Sequence, residues 1–269
     1  MTKIEVLGAH GDPCVLSAVE ALVQARSAMR NLSESDLADA QALSEPSADQ
    51  AYRIQELVAQ RFAWFGDDPP KHWKSGGASR EAAQTHAPLP GDGVWRSPAR
   101  AGSWHFTMRG IEAEIALRIG RPVDFETARL LTPESAQAVI DAMAVSIEVV
   151  DSRWKQGLDA PAFLKLADLQ SHGALVLGDW VPYQARDWSQ QICRVQVGLK
   201  AEVSRQGTHS LGDPAWLVST WLRHACAAHG TLPAGTVVTT GTWVGILPAE
   251  AGDMVQVAFD GIGEATVEL

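Results

Sequence analysis

The sequence predicts an α+β fold: a mixed sheet preceded by a helical region. Three observations carry that prediction. Helical periodicity dominates the first quarter of the chain and returns in only two later segments. From about residue 66 onward, Gly and Pro punctuate the chain and short β-like segments follow one another. Strands outnumber helices and rarely alternate with them, which argues against a doubly wound parallel sheet.

The helical region comes first. Residues 13–30, "PCVLSAVEALVQARSAMR", carry Val15, Val19, Leu22 and Val23 at helical spacing, and "DQAYRIQELVAQRFAWF" repeats the pattern with Tyr52, Leu57, Val58 and Phe62. The acidic stretch between them reads as a connection with a short helix. The punctuation in "GDDPPKHWKSGGAS" places a boundary after residue 68, giving a helical region over 1–68 and a β-rich domain over 69–269.

In the second region "GIEAEIALRIG", "AVSIEVVDSRW", "GALVLG", "CRVQVGLKAEVSRQG", "GTVVTTGTW", "DMVQVAFDG" and "GEATVEL" read as strands. The Asp260-Gly261 pair marks a hairpin between the last two. Thr132 caps a helix over "PESAQAVIDAM", while Asp213 and Pro214 open one that Gly230 closes.

Charge and composition exclude several functions. The 269-residue chain has 22 Lys and Arg against 32 Asp and Glu, a net charge of −10, so nucleic acid and anionic membranes are poor partners. No stretch approaches the roughly 20 apolar residues of a membrane span, and the N-terminus lacks the pattern of a secretory signal. Cys14, Cys193 and Cys226 are odd in number and far apart, as expected of reduced thiols in a cytoplasmic protein. No histidine falls in HxxxH or HExxH spacing, which removes the zinc protease reading.

The chemistry begins in "GIEAEIALRIG". Side chains of a strand alternate between faces, so Glu112 and Glu114 project to one side and Ile111, Ala113 and Ile115 to the other. Two converging carboxylates raise each other's pKa unless a cation compensates them, and a hard divalent ion such as Mg²⁺ or Mn²⁺ is the simplest compensator. A solvent-facing strand with outward glutamates is the plainer alternative. "AVSIEVVDSRW" offers a third acid in Glu148 or Asp151. Being three apart, these cannot both point the same way in a regular strand.

With "RGIEAEIAL", "SIEVVDSRW", "HWKSGGAS", "LQSHGALVLG" and the closing "GDPAWLVSTWL" to "GILPAEAGDMVQVAFDGIG", the sequence resembles the fumarylacetoacetate hydrolase superfamily, in its 2-keto-4-pentenoate hydratase and 4-oxalocrotonate decarboxylase branch. The likeness covers roughly residues 70–269. It implies a mixed β-sandwich roll, a homo-oligomer, and a small-molecule 2-oxo acid substrate. It makes Glu112, Glu114 and Glu148 the ligands of Mg²⁺ or Mn²⁺, with Asp151 in reserve because hydrolytic relatives use an Asp from this neighbourhood.

The resemblance further places Lys74 in a loop against the substrate, where a nearby metal would lower its pKa for acid/base work. It places Ser171 in the pocket as a catalytic group and Thr242 in a loop lining the substrate. Gly76 would let backbone approach a ligand closely, and Arg109, just before the metal strand, would meet an anionic group. Two stretches depart from the pattern: "LPGDGVW" shifts Asp92 by one position, and "KSGGAS" is richer in Gly and Ser than usual.

Holding the 2-oxygen of a 2-oxo acid on a cation stabilises an enolate, which serves hydration, decarboxylation and carbon-carbon cleavage alike. Hydrolytic relatives activate water with a His paired to Glu, and no such pair is legible here. The expectation is therefore a hydratase of 2-hydroxypenta-2,4-dienoate or a relative. Decarboxylation of 2-oxo-hex-3-enedioate, acylpyruvate hydrolysis and a non-catalytic assembly subunit are the alternatives.

Overall fold

The computed structural model describes residues 12–30 and 37–269, so the reading of the N-terminus, apart from its last two residues, lies outside the described residues. The chain divides into two compact units. One holds the described residues up to Gly66 together with Ser152–Ser171, and the other holds Asp67–Asp151 and His172–Leu269.

The first unit is helical. α1 (Pro13–Arg30) starts with proline at its first position, where no backbone donor is needed, and Asp12 accepts from the Cys14 amide at 2.9 Å. Val15, Ala18, Val19, Leu22 and Ala25 form its buried stripe. A 3-10 turn at Ala40–Ala42 is the short helix of the connection. α2 (Ala48–Phe62) opens on a capping box between Ser47 and Gln50 and ends on Ala63 in the left-handed region. Ile54 and Val58 meet Leu22, Trp154 and Leu164 in one apolar core. Trp154 and α5 (Ala162–Ala167) come from the later segment 152–171.

Just beyond α5, Asp168 accepts from Arg26 at 2.9 Å and from Arg153 Nε at 2.7 Å, so its buried charge is paired. Leu169, Gln170 and Ser171 follow with φ of 53, 55 and 59°, three side-chain-bearing residues in the left-handed region, each held there at a cost of roughly 1–2 kcal/mol.

The second unit is built on two sheets. The larger has nine strands, with the order β2 (Thr85–Leu89), β1 (His72–Gly76), β11 (Val237–Thr239), β5 (Gly110–Ile119), β6 (Ile140–Val150), β7 (His172–Leu177), β3 (Val94–Arg96). Short β12 (Leu247–Pro248) and β8 (Val181–Pro182) add to β5 and β6. The second sheet runs β10 (Val203–Gln206), β9 (Ile192–Val197), β13 (Met254–Phe259), β14 (Gly263–Glu268), β4 (Ala99–Arg100). β13 and β14 form the hairpin expected at Asp260-Gly261, where Gly261 supplies the positive φ of the turn.

Strand alternation divides the faces. Ile111, Ala113, Ile115 and Leu117 of β5 and Met143, Val145, Ile147 and Val149 of β6 join Val195, Val255, Val257, Phe259 and Val267 in the core between the sheets. The opposite face of the large sheet carries a smaller apolar cluster of Leu89, Ala116, Leu175, Leu177 and Val237. It also carries the acids of β5. Among the described residues no helix is long and apolar enough to cross a membrane.

Two local expectations are corrected. The helix expected over 133–143 is α4 (Pro133–Ala136) plus a 3-10 turn to Val139, preceded by α3 (Phe125–Leu130), which the periodicity did not reveal. From Ile140 the chain pairs with β5, Ala142 opposite Arg118, so ladder formation overrides the helical cap signal. Lys74 is not in a loop: it lies mid-strand in β1, with parallel pairing to β11 and antiparallel pairing to β2. α6 (Val218–His229) follows a 3-10 turn at Pro214–Leu217 and stops at Gly230 as expected.

Candidate metal centre

The β5–β6 register sets Glu112 opposite Glu148 and Glu114 opposite Ser146. All three glutamates occupy the face turned away from the core between the sheets, and each offers an oxygen within 4.8 Å of the others. Glu114 and Glu148 are buried and Glu112 is half-buried. The solvent-facing alternative therefore fails for this pair. Asp151 has another task. It lies past the end of β6, where its Oδ1 accepts from the Thr107 amide and hydroxyl and from the Met108 amide, at 2.7 to 3.0 Å.

Lys74 reaches the cluster from β1. Its Nζ lies 2.5 Å from Glu148 Oε1, and the side chain is almost wholly enclosed. Burial alone would lower the ammonium pKa, but Glu148, Glu112 and Glu114 together outweigh it and raise it. The fall expected beside a metal is thus reversed where the carboxylates alone surround the ammonium.

The acids respond unequally. Burial, then Glu114 and Glu148, push Glu112 up to about 8 against the pull of Lys74. Burial and Glu148 push Glu114 to about 7, moderated by Lys74, the Thr239 hydroxyl and the Gly241 amide. Burial also works to raise Glu148, yet Lys74 and His172 hold it below the ordinary carboxylate value.

Groups beyond the expected site residues complete the site. His172 Nδ1 lies 3.2 Å from Glu148 Oε1, so a His–Glu contact exists where none was legible. The Thr239 hydroxyl donates to Glu114 Oε2 and lies 2.9 Å from Ser146 Oγ. His209 shapes the next residue of that strand end: its Nδ1 accepts from the Leu211 amide, leaving Nε2–H to donate to the Thr240 carbonyl at 2.8 Å. Burial pushes its pKa down to about 4, which keeps that neutral tautomer.

The remaining expected site residues are placed as follows. Gly76 ends β1 opposite Thr85, with open space where a Cβ would stand. Thr242 closes a turn, donating to the Gly245 carbonyl at 2.9 Å and accepting from the Val244 amide. Arg109 lies over the Phe106 ring with its Nε buried and without a hydrogen-bond partner among the described residues. Ser171 belongs to the first unit, and its buried hydroxyl makes no hydrogen bond among the described residues.

The donor set fits a hard divalent cation. Three carboxylates converge, two with pKa values raised by burial and then by mutual repulsion, and Glu148 Oε2 is buried with no hydrogen-bond partner among the described residues. Oxygen-only donors of this charge suit a hard divalent cation and not a soft metal.

Known proteins resemble this chain in sequence and in fold. Residues 82–269 match the family model described as fumarylacetoacetate (FAA) hydrolase C-terminal. Over 229 residues the chain is 27% identical to 2-keto-4-pentenoate hydratase 1 of Dechloromonas aromatica (strain RCB), covering 81% of this chain and 84% of the relative. The fold is similar to that of 4-oxalocrotonate decarboxylase from Pseudomonas putida G7 complexed with magnesium and adipate. That match has a TM-score of 0.76 at 19% identity, over 94% of this chain and 97% of the other. It is also similar to 5-carboxymethyl-2-hydroxymuconate delta-isomerase from Mycobacterium smegmatis, with a TM-score of 0.55 at 22% identity over 74% and 78% of the two chains.

Proposed function

Because this chain belongs to the fumarylacetoacetate hydrolase family, we propose that it is a metal-dependent lyase that hydrates 2-hydroxypenta-2,4-dienoate or a close relative to a 4-hydroxy-2-oxo acid. The convergence of Glu112, Glu114 and Glu148 with Lys74 Nζ against one of them is the observation that carries this reading. The named hydratase, matched over most of both chains, supports the choice of reaction.

In this reading the three glutamates hold Mg²⁺ or Mn²⁺, which when bound supplies Lewis-acid stabilisation of charge on the substrate 2-oxygen. The Lys74 ammonium gives a proton to the far carbon of the diene, and the amine so formed takes the proton that leaves the 2-hydroxyl, which restores the ammonium. Water then adds its hydroxyl at C4 and its hydrogen at C3. Glu148 holds the ammonium in place, Thr242 positions the substrate, and Gly76 leaves room beside Lys74. The protein works as a cytoplasmic homo-oligomer, an assignment that rests on the family and on its three free cysteines.

The test is direct. Metal-loaded protein consumes the dienoate, followed by its ultraviolet absorbance, and unchanged absorbance with several divalent ions rejects this substrate. Arg109 favours a second reading: a guanidinium with a buried, unpartnered Nε suits a distal carboxylate, as in decarboxylation of 2-oxo-hex-3-enedioate. Release of carbon dioxide from that diacid separates the two.

A further inference from the structure

The oxygens of the cluster are not equally available. Glu148 Oε1 is taken by Lys74 Nζ at 2.5 Å and by His172 Nδ1 at 3.2 Å, while its Oε2 is buried with no hydrogen-bond partner among the described residues. Glu114 Oε2 is taken by the Thr239 hydroxyl. That hydroxyl has a single proton, so once it is given to the carboxylate, the 2.9 Å contact with Ser146 requires Ser146 Oγ to donate to Thr239 Oγ1. Ser146, Thr239 and Glu114 are all buried, so water does not compete for these bonds.

The backbone fixes this arrangement. Ser146 is the register partner of Glu114 across β5–β6. Thr239 pairs with Ala116 on one side and Lys74 on the other, which brings its hydroxyl diagonally onto Glu114. The two hydroxyls therefore approach Glu114 from neighbouring strands on both sides of β5.

From this geometry we infer that Ser146 and Thr239 are positioning residues that commit Glu114 Oε2, as Lys74 and His172 commit Glu148 Oε1, making the cluster selective for a small six-coordinate cation over Ca²⁺. The inference rests on the proposed metal site. Mg²⁺ accepts one oxygen from each of several donors in near-octahedral geometry, whereas Ca²⁺ takes six to eight oxygens and gains from carboxylates that bind through both. A glutamate oxygen committed to a buried donor is a poorer second ligand, which disfavours binding of the ion through both oxygens.

The experiment uses the full-length chain stripped of metal and titrated calorimetrically with MgCl₂ and with CaCl₂, in wild type, Thr239→Val, Thr239→Ser and Ser146→Ala. Freeing Glu114 Oε2 in Thr239→Val shifts the Mg²⁺ to Ca²⁺ affinity ratio toward Ca²⁺ by about tenfold, the scale seen for partners of metal ligands. Thr239→Ser keeps the hydroxyl and restores the ratio, and Ser146→Ala shifts it part of the way. An unchanged ratio in variants that still bind both ions overturns the inference and leaves the metal site standing. A wild-type chain that binds neither ion overturns the metal site and this inference with it. Should Thr239→Val fail to fold, Ser146→Ala, which leaves the Thr239 donor in place, decides the question.

Discussion

Lys74 Nζ sits 2.5 Å from Glu148 Oε1, so a strand-borne ammonium rests on the one glutamate of the cluster that stays below the ordinary carboxylate pKa. Lys74→Met removes that charge and leaves three acids facing each other. Losing one partner of a buried pair costs about 3–5 kcal/mol, so the metal-free variant melts well below wild type. Added Mg²⁺ raises its melting temperature more than it raises that of wild type. Turnover of the dienoate falls by about 10²–10⁴, the range for a lost proton-transfer group. Calorimetry with and without Mg²⁺, beside the absorbance assay, checks all three.

Glu112 at about 8 and Glu114 at about 7 must give up protons before a cation binds. Affinity for Mg²⁺ therefore rises between pH 6 and pH 8. Binding at pH 6.5 releases protons, visible as a heat that changes with the ionisation enthalpy of the buffer. The same groups act on the metal-free fold. Their folded pKa values lie above the unfolded value, so their contribution to stability is present below about 4.5 and is lost as pH rises through 7 and 8. Metal-free protein melts lower at pH 8.5 than at pH 6 on this account, and Mg²⁺ reverses the order.

The acid limb has different owners. Burial pushes His86 down to about 3, and His209 and His224 to about 4. Their folded values lie below the unfolded one, so the stability tied to their neutral forms is present above about 6.5 and is lost as pH falls below it. Each proton taken up on unfolding steepens that loss by about 1.4 kcal/mol per pH unit. His209→Gln removes one such proton, and denaturant titrations between pH 4 and 6.5 show the shallower slope.

Asp151 and Glu148 part company under mutation. Asp151→Ala leaves the Thr107 and Met108 amides without their acceptor and destabilises the fold by about 2–4 kcal/mol, within the range for lost hydrogen bonds to a charged group. Metal stoichiometry stays unchanged. Glu148→Gln loses the ion as well as its pair with Lys74, so it too melts lower but binds no metal. Melting curves and metal analysis of the two variants separate an anchor from a ligand.

Much of this was legible in the sequence, and the reasons differ residue by residue. The shared face of Glu112 and Glu114 follows from a period of two. The choice between Glu148 and Asp151 did not, because a spacing of three excludes their sharing a face but leaves open which one meets the pair; the β5–β6 register decided it. Lys74 was found by its motif but misplaced in a loop, because Gly76 and Gly77 mask a strand whose partner, β11, lies more than 160 residues away. Ser146 and Thr239 carried no signal, and His172 lay within the motif "LQSHGALVLG" without any sign of its partner. A hydroxyl in a strand looks like any β-former until pairing brings it to a carboxylate, and His172 meets Glu148 only because β6 and β7 are neighbours.

β5 serves two surfaces at once, with isoleucines sealing one and glutamates furnishing the other. Inserting or deleting a single residue upstream of Glu112 in this strand would exchange those roles, driving charge into the oily interior and grease into the reaction chamber. The length of this segment is therefore frozen against odd-numbered change. Descendants of the chain can diversify here by swapping side chains, while innovation in length is confined to the surrounding loops.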